Sequence, residues 1–277
     1  MKLIAIDLDG TLLNNEGRVS AYTQDVLNEV ADHGHKIAVV TGRHFQITDK
    51  IASLFPRSEF MVCFNGAGVA EPKTRELKQL HTYDITDVAH VIETLKEWGL
   101  AYVVETEDRF IVESIYDDIM SVFRAHNVTF DEMKNIREVE KAIVKLSIRG
   151  TERELDRLTP LIAQLVPELY VIRSGEQSVD VINRAASKGK AVQWLGEHYG
   201  IPREQTIAFG NFDNDMTMLE FASIGVAMAN APIRVKKIAD VITASNEEDG
   251  VASFLDEYIL KNKPTARLQL FSKKANL

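Results

Sequence analysis

Short apolar runs alternate with amphipathic helical segments through the first third of the chain. The runs Leu3–Ile6 and Lys36–Val40 are almost continuously hydrophobic, as strands buried on both faces of a parallel sheet are. A segment with apolar residues at helical spacing follows each run, and a third strand is expected within residues 60–64. Asn65 and Gly66 then predict a tight turn. This alternation predicts a parallel sheet with crossover helices.

The middle of the chain has a different pattern, with more charge and more regular alternation of apolar and polar residues. Such alternation is typical of an antiparallel sheet that is covered on one face. Helices are predicted at residues 84–98, 116–126 and 151–166, and strands at 101–105, 109–113, 142–149, 169–173 and 178–182. Pro160 lies inside the third of these helices and predicts a kink or a break there. We therefore expect an inserted α+β domain over residues 83–184.

The first pattern resumes after Ser187. A helix over residues 188–199 and a short buried strand over residues 206–209 return the chain to the first sheet, and shorter helices and strands follow. The predicted fold class is therefore α/β: a Rossmann-like parallel sheet with helices on both faces, plus the inserted α+β domain. Residues 1–82 and 185–277 form this sheet domain, and its tail, 261–277, has no assigned role.

The composition is that of an ordinary globular protein with an acidic balance. The 41 acidic and 32 basic residues give a net charge of −9, which argues against nucleic acid or an anionic membrane as the main partner. The single cysteine, Cys63, lies in an apolar run and permits no disulfide within the chain. The sequence lacks a basic leader with an apolar core and any apolar stretch of about 18 residues. We expect a cytoplasmic protein, monomeric or homodimeric.

Polar residues follow three of the predicted buried strands at the point where each strand ends. They are Asp7, Asp9, Thr41, Gly42, Asn211, Asp213, Asn214 and Asp215, with Lys188 at the start of a nearby helix. Because the carboxyl ends of parallel strands meet at the edge where open α/β sheets bind ligands, we expect these residues to lie together. Carboxylate and amide oxygens suit Mg²⁺, while lysine, threonine and backbone N–H groups suit phosphate oxygens.

Asp7 and Asp9 fall on the same side of the end of the first strand, because side chains alternate along a strand. One carboxylate can attack a phosphoryl group to give an aspartyl-phosphate. The other can protonate the leaving oxygen and later take a proton from water. Each turn alone has a plain structural interpretation as an Asx/Gly or Thr-Gly turn. The four segments together favour a phosphoryl-transfer site.

Four segments, in order, resemble the motifs of the haloacid dehalogenase superfamily. They are Asp7-Leu-Asp-Gly-Thr11, Val40-Thr-Gly-Arg43, Ser187-Lys-Gly189 and Gly210-Asn-Phe-Asp-Asn-Asp215. Residues 65–67 and 246–251 resemble further marks of the Cof-type branch, whose α/β cap of type IIB is inserted between the second and third motifs. The resemblance covers nearly the whole chain. It implies a Mg²⁺-dependent phosphatase, a phosphoric monoester hydrolase acting on small phosphorylated metabolites.

The resemblance also implies a role for each matched residue. The catalytic residues would be Asp7 as nucleophile and Asp9 as general acid and base. The phosphate-binding residues would be Thr41, Gly42, Lys188 and Asn214. The ligands of Mg²⁺ would be Asp7, Asp9 through its backbone carbonyl, Asn211 and Asp215. The candidate substrate contacts are Arg43 and Asn65.

Asn211 departs from the family pattern, in which the fourth motif usually reads Gly-Asp-x-x-Asn-Asp. Asparagine keeps a carbonyl oxygen that can bind a cation but lacks the negative charge of aspartate. We therefore expect weaker Mg²⁺ binding in a working enzyme.

Other functions can use the same residues. One is a phosphate-ligand binding or regulatory protein in which Asn211 has weakened catalysis, and another is a sugar phosphomutase, which shares the first half-reaction. A phospho-accepting signalling domain is disfavoured by the inserted domain and by Lys188. The resemblance implies sugar phosphates or cofactor phosphates, such as flavin mononucleotide and pyridoxal phosphate, as substrates. Residues 106–109 and 175–178 are the cap segments expected to face the site.

Overall fold

The chain folds around two β-sheets. A computed structural model describes residues 1–51, 58, 60–71, 73–74, 76–261 and 269–270. Strands from the two ends of the chain form a nine-stranded sheet, and the strands between them form a six-stranded sheet. No helix in this part of the chain is long and apolar enough to span a bilayer.

The strands are numbered in chain order. They are β1 (Leu3–Ile6), β2 (Lys36–Val40), β3 (Met61–Cys63), β4 (Gly68–Glu71), β5 (Glu76–Leu80), β6 (Ala101–Glu105), β7 (Phe110–Glu113), β8 (Phe130–Met133), β9 (Lys145–Arg149), β10 (Leu169–Gly175), β11 (Ser178–Asn183), β12 (Thr206–Gly210), β13 (Ile224–Ala227), β14 (Val241–Ile242) and β15 (Gln269–Leu270). The α-helices are α1 (Ala21–Asp32), α2 (Phe45–Ile51), α3 (Ile85–Glu97), α4 (Asp117–Ala125), α5 (Glu152–Leu165), α6 (Lys188–Tyr199), α7 (Met216–Phe221), α8 (Ile233–Lys236) and α9 (Gly250–Leu255).

The nine-stranded sheet has the order β15-β14-β13-β12-β1-β2-β3-β4-β5. Its centre, from β14 to β3, is parallel, and the strands outside this centre are antiparallel. Leu3 and Ala5 of β1 pack into the core under α6 and α7, whereas Ile4 and Ile6 pack into the core under α1 and α9. Both faces are therefore covered, which confirms the predicted α/β class.

The six-stranded sheet has the order β10-β11-β9-β6-β7-β8 and is antiparallel except between β7 and β8. One of its faces packs against α3 and α5 through Tyr102, Val104, Leu146 and Ile148. Because side chains alternate along a strand, the residues between these point the other way, toward the carboxyl edge of the nine-stranded sheet. The sheet therefore presents a second face to that edge.

Pro160 does not break α5, which runs through the proline and spans Glu152–Leu165. A proline removes the hydrogen bond to the carbonyl four residues earlier, here that of Asp156, and both residues are exposed to solvent. Leu155, Leu158 and Ile162 bury the opposite side of the helix. The expected break is therefore wrong, because packing and solvation compensate for the missing bond.

Three of the described strands, β5, β8 and β15, are missing from the prediction. Each lies at an edge of its sheet, and in β5 and β8 the side chains are half-exposed and the alternation of apolar and polar residues is weaker. Much of the helix predicted after Arg43 is present as α2, while residues 52–57 lie outside the described part of the chain. In the tail, β15 pairs with β14.

Candidate active site

The carboxyl ends of β12, β1 and β2 lie side by side, because these strands are parallel neighbours in that order. Ile6 pairs with Val39 on one side and with Phe209 on the other. The polar segments that follow the three strands therefore meet at one edge, as the sequence predicts. The chain turns at Gly10 with φ +72°, and a Cβ there would lie 2.4 Å from the side-chain amide of Asn211. Glycine is thus required where the first and third segments touch.

Lys188 joins two buried carboxylates at this edge. Its Nζ donates to Asp7 Oδ1 at 2.7 Å and to Asp215 Oδ1 at 2.6 Å. The lysine begins α6, whose N-cap Ser187 accepts from the backbone N–H of Lys190. Gly66 is in contact with this helix start, since a Cβ on it would lie 2.2 Å from the Ser187 carbonyl oxygen. The turn after β3 and the start of α6 thus hold the ammonium group in place.

The titration of Asp7 and Lys188 follows from this arrangement. Burial and, after it, the neighbouring Asp215 carboxylate raise the pKa of Asp7 to about 7, while Lys188 opposes both. Burial acts to lower the pKa of Lys188, but Asp215 and Asp7 outweigh it and the pKa is raised. Lys188 is therefore a fixed cation, and it supplies the interaction that favours ionised Asp7.

Asp215 is saturated with hydrogen bonds. Its Oδ2 accepts from the backbone N–H groups of Asn211 and Phe212 at 2.8 and 2.9 Å, and its Oδ1 accepts from Lys188. The carboxylate is fully buried and does not line the cavity described below. Asp215, which the resemblance implies as a ligand of Mg²⁺, is hydrogen-bonded here to Lys188 and to the turn after β12.

Asn211 lies between Asp7 and the backbone of Asp9. Its amide satisfies hydrogen bonding best with Nδ2 toward Asp9 O at 2.8 Å, Thr11 Oγ1 at 2.9 Å and Asp7 Oδ2 at 3.2 Å. Thr11, in turn, donates to Asp7 Oδ2 at 2.9 Å. A hydroxyl has one proton, so this orientation gives a consistent chain of donors from Asn211 through Thr11 to Asp7. Thr11 was not among the predicted site residues, although it is the last residue of the first motif.

The position taken by Asn211 Nδ2 can instead be taken by the oxygen of the same amide. Turned by 180°, the Asn211 amide presents Oδ1 to Asp9 O and Asp7 Oδ2, and Thr11 then donates to it. Three oxygens that close together need a cation or a proton donor between them. No group of three or more His, Cys, Asp or Glu residues in the described ranges could hold a metal ion. One carboxylate and two neutral carbonyls still fit Mg²⁺, which accepts oxygen ligands and retains water.

Asp9 points out of this cluster. Its carboxylate accepts two hydrogen bonds from Arg43, from Nε at 2.8 Å and from Nη2 at 2.5 Å, and its side chain is 60% exposed. Bidentate pairing fixes both side chains in one geometry, although exposure keeps the energetic value of the pair small. Asp9 is thus held at the mouth of the site, in contact with solvent.

The predicted phosphate-binding residues lie at two depths. Gly42 and Asn214 line the cavity, whereas Thr41 and Lys188 are buried behind its wall. Thr41 Oγ1 accepts from the backbone N–H of Arg43, which orders the turn after β2. Two of the three N–H donors of Lys188 are engaged by carboxylates, so one remains for a ligand.

Asn65, a candidate substrate contact, is hydrogen-bonded to protein groups on both sides. It is buried, its Nδ2 donates to Asp180 Oδ2 at 2.6 Å, and its Oδ1 accepts from Asn214 Nδ2 at 2.9 Å. Both polar atoms of the amide are thus engaged with protein. Asn65 instead links the turn at Asn214 to the six-stranded sheet.

A cavity of about 850 Å³ lies between the two sheets. Asp7, Asp9, Arg43 and Asn211 form its floor on the nine-stranded sheet. The opposite walls come from the second face of the six-stranded sheet, from α4 and from the hairpin between β10 and β11. Of the two cap segments expected to face the site, residues 175, 176 and 178 line the cavity. The segment 106–109 lies beside α2, where Thr106 O contacts His44 Nε2 at 3.1 Å.

His44 connects the two halves of the molecule without taking part in the polar cluster. Its Nδ1 accepts from the backbone N–H of Gln46, so the proton is on Nε2 and is donated to Thr106 O. Its ring packs against Phe64 and Phe110. Burial, assisted by the charge of Lys145, lowers its pKa to about 4. The ring is neutral near pH 7 and is a packing residue of this interface.

The geometry of the site agrees with the family and the relatives that the sequence of this chain matches. The model of the haloacid dehalogenase-like hydrolase family matches residues 4–255. A 5-amino-6-(5-phospho-D-ribitylamino)uracil phosphatase, YitU of Bacillus subtilis, is 31% identical over 92% of this chain and 97% of its own. The phosphatase YwpJ of the same organism is 30% identical over 92% of this chain and 99% of its own.

Solved structures show the same likeness. A haloacid dehalogenase-like hydrolase from B. subtilis is 28% identical and superposes with a TM-score of 0.82, covering 94% of this chain and all of its own. The subclass IIB sugar phosphatase BT4131 is 25% identical with a TM-score of 0.82, covering 93% of this chain and 99% of its own. The resemblance seen in the motifs is confirmed, including the branch with an inserted α/β cap.

Proposed function

Since this chain belongs to the haloacid dehalogenase-like hydrolase family and is a phosphatase, we propose that it hydrolyses small phosphorylated metabolites through an aspartyl-phosphate on Asp7, with Mg²⁺ as its cofactor. The observation that carries this proposal is the placement of Asp7. Its carboxylate lies in the floor of the cavity, bound to Lys188 and Thr11. A buried carboxylate with an adjacent fixed cation is an activated nucleophile.

The reaction runs in two displacements. An Asp7 oxygen attacks the phosphorus, an O–P bond forms, and the bond between phosphorus and the leaving oxygen breaks. Asp9 gives its proton to the leaving oxygen. Water then attacks the phosphorus, Asp9 takes a proton from it, and the bond to Asp7 breaks to release phosphate. The exposure of Asp9 at the mouth suits a residue that must exchange protons in both steps.

Lys188, Thr41 and the turn at Gly42 would stabilise the phosphoryl oxygens, since an ammonium, a hydroxyl and backbone N–H groups are donors to such oxygens. Asn214 lines the cavity beside them. Arg43, which also lines it, could leave Asp9 to contact the substrate. When bound, Mg²⁺ would neutralise phosphate charge, held by Asp7, the Asp9 carbonyl and Asn211. Asp215 would act by positioning Lys188.

The six-stranded sheet and its helices would form the cap. We assign residues 83–184 to it and residues 1–82 and 185–277 to the core domain, because the strands of the two sheets separate at these positions. Relatives named for a phosphorylated ribitylaminouracil and for sugar phosphates support sugar or cofactor phosphates as substrates. The cavity walls on the cap would then contact the leaving group and exclude water.

The proposal is tested by metal-dependent release of p-nitrophenol from p-nitrophenyl phosphate. We expect steady turnover with Mg²⁺ and a decrease of at least about tenfold after EDTA treatment, which added Mg²⁺ reverses. Binding of inorganic phosphate without any turnover would instead support a binding or regulatory protein. Transfer of phosphate to an added hexose, without net release, would support a phosphomutase.

Replacing Asn211 by aspartate is expected to lower the Mg²⁺ concentration that gives half-maximal activity by about tenfold. The variant adds a negative charge at the cation position and removes the amide donor to Asp7 Oδ2 and Asp9 O. Mg²⁺ should therefore also raise its melting temperature more than that of the wild type.

Asn230→Asp is the matched control, because Asn230 lines the same cavity and its Nδ2 donates to Gly10 O. It adds the same charge beside the first motif and should change the Mg²⁺ requirement much less. A higher half-saturation concentration in Asn211→Asp would contradict our account of this residue.

A further inference from the structure

Glu105 carries an unused hydrogen-bond acceptor in the wall of the cavity. It is the last residue of β6, is 3% exposed and lines the cavity. Its Oε1 accepts from Ser147 Oγ at 2.7 Å and lies 3.2 Å from Lys145 Nζ. Its Oε2 is buried without a hydrogen-bond partner among the described residues. A carboxylate oxygen in that position is costly unless a ligand supplies a donor.

The cluster around Glu105 is short of donors. The hydroxyl of Ser147 lies within hydrogen-bond distance of both Glu105 Oε1 and Asp180 Oδ1, at 2.7 and 2.9 Å, but it has one proton. Lys145 faces both carboxylates and also donates to Gly42 O at 2.6 Å. The Asn65 amide donates to Asp180 Oδ2, so the two carboxylates share three donor groups, and none of them reaches Glu105 Oε2. Burial raises the pKa of Glu105 despite Lys145. The wall accepts hydrogen bonds and carries net negative charge.

The register of the strands places this cluster next to the proposed phosphate site. Glu105 pairs with Lys145 across β6 and β9, and Asp180 pairs with Ser147 across β11 and β9. The hydrogen bond from Lys145 to Gly42 O places this cluster next to the turn after β2. A leaving group attached to a phosphate at Asp7 would thus meet Glu105 as it enters the cap.

The remaining walls limit what that leaving group can be. Apolar side chains from β6, β7 and α4 face the cavity beside Glu105, and Val122 among them is 56% exposed. Six carboxylates line the whole cavity, against three cations: Asp7, Asp9, Glu105, Asp118, Glu176 and Asp180 against Arg43, Lys145 and Arg149. Beyond the phosphate, an additional anionic group would meet predominantly acidic surroundings.

We propose that Glu105 is a specificity residue whose free oxygen accepts a hydrogen bond from a hydroxyl or amino group of the leaving group. The preferred substrates are then phosphate monoesters of alcohols that carry hydrogen-bond donors and no second acidic group. This inference rests on the proposed phosphatase function and adds the class of leaving group to it. A glutamine at position 105 would have half the acceptor capacity and no charge. It should therefore lower kcat/KM selectively for substrates whose leaving group carries hydrogen-bond donors.

The test compares pairs of phosphate monoesters whose leaving groups differ mainly in one acidic group. The member of each pair without that group is called neutral. The pairs are glucose 6-phosphate with 6-phosphogluconate, fructose 6-phosphate with fructose 1,6-bisphosphate, and glycerol 3-phosphate with 3-phosphoglycerate. We expect wild-type kcat/KM to favour the neutral member by about tenfold or more in at least one pair. Glu105→Gln should lower kcat/KM for that neutral substrate about tenfold more than it lowers kcat/KM for p-nitrophenyl phosphate, because p-nitrophenol offers no donor.

Glu113→Gln is the matched control. Glu113 is an equally buried glutamate of the neighbouring strand β7, but it bonds to Lys96, Tyr102 and the Ile136 N–H, away from the cavity. It should leave the substrate ratios unchanged, and melting temperatures of both variants measure the structural cost of the change. Wild-type turnover of p-nitrophenyl phosphate with no neutral preference in any pair would overturn the inference, as would unchanged ratios in Glu105→Gln. Absence of any metal-dependent p-nitrophenyl phosphate turnover would instead contradict the phosphatase mechanism.

Discussion

Replacing Asp7 by asparagine is expected to lower the rate of phosphate release by at least about a thousandfold. The amide is nearly the same size as the carboxylate and can keep the contact with Thr11, but it is not a nucleophile. Every proposed step passes through a bond between an Asp7 oxygen and phosphorus. The measurement is the single-turnover rate of phosphate release from a metabolite that the wild type hydrolyses, with Mg²⁺ present.

Loss of activity in this variant should not come from loss of folding. The folded-state pKa of Asp7 is about 7, against an ordinary value of 3.8, because of burial and then Asp215. A carboxyl with a raised folded-state pKa makes the native state progressively less stable as pH rises from about 4 to about 7. A neutral amide removes that dependence, so Asp7→Asn should melt no lower than the wild type at pH 8.

Asp118→Asn is the control for the isosteric change itself. Asp118 lies on α4, is exposed and lines the same cavity without a role in the proposed reaction. It should retain activity within a few fold. Substantial phosphate release by Asp7→Asn, or an Asp118→Asn variant that is equally inactive, would refute the assignment of Asp7 as the nucleophile.

Much of this site follows from where strands end. A continuous apolar run followed by a polar turn identifies the carboxyl end of a buried parallel strand, and three such ends place Asp7, Thr41 and Asn211 at one edge. That rule concerns the backbone. It predicts which residues lie near each other, but not which side chains form hydrogen bonds. It does not show that Asp215 turns inward to bind Lys188, because that direction is set by the backbone N–H groups of residues 211 and 212.

The contacts between residues of the inserted domain could not be predicted for a different reason. Glu105 and Lys145 meet only because β6 and β9 pair in one particular antiparallel register, although they are 40 residues apart in sequence. A one-residue shift would turn every side chain of β6 to the other face. The signal available in the sequence was a charged residue at the end of an otherwise apolar strand, Ala101–Glu105. The bond from Asn65 to Asp180 could not be predicted for the same reason, since Asp180 comes from a strand whose position the motifs do not fix.

The cluster at the floor of the cavity therefore combines two requirements that oppose each other. The proposed reaction needs an ionised Asp7, while burial and Asp215 favour its protonated form. Lys188 is the cation that offsets both, and Asp215 is the residue that keeps Lys188 in place. Stability and activity should consequently depend on the same ion pairs, which makes Lys188 the most sensitive position of the site.

Replacing Lys188 by methionine is expected to destabilise the protein by about 3–5 kcal/mol, because it leaves Asp7 and Asp215 buried without a counter-charge. The pKa of Asp7 should rise further above 7, so the residual activity should increase with pH over a range where the wild type has already reached its plateau. At pH 7 we expect at least about a hundredfold lower kcat/KM. Thermal unfolding and the pH dependence of p-nitrophenyl phosphate turnover measure the two effects.

A second variant separates charge from geometry. In Lys188→Met combined with Asp215→Asn, one of the two uncompensated carboxylates is neutral, so much of the lost stability should return. Activity should stay low, because the cation beside Asp7 is still absent. Lys190→Met is the matched control two residues along α6. This lysine is exposed and its Nζ donates to the backbone carbonyl of Arg184, so the variant should change little. If Lys188→Met melted like the wild type and kept its pH profile, Lys188 could not be the group that compensates the buried carboxylates, and the charge balance proposed for this site would be wrong.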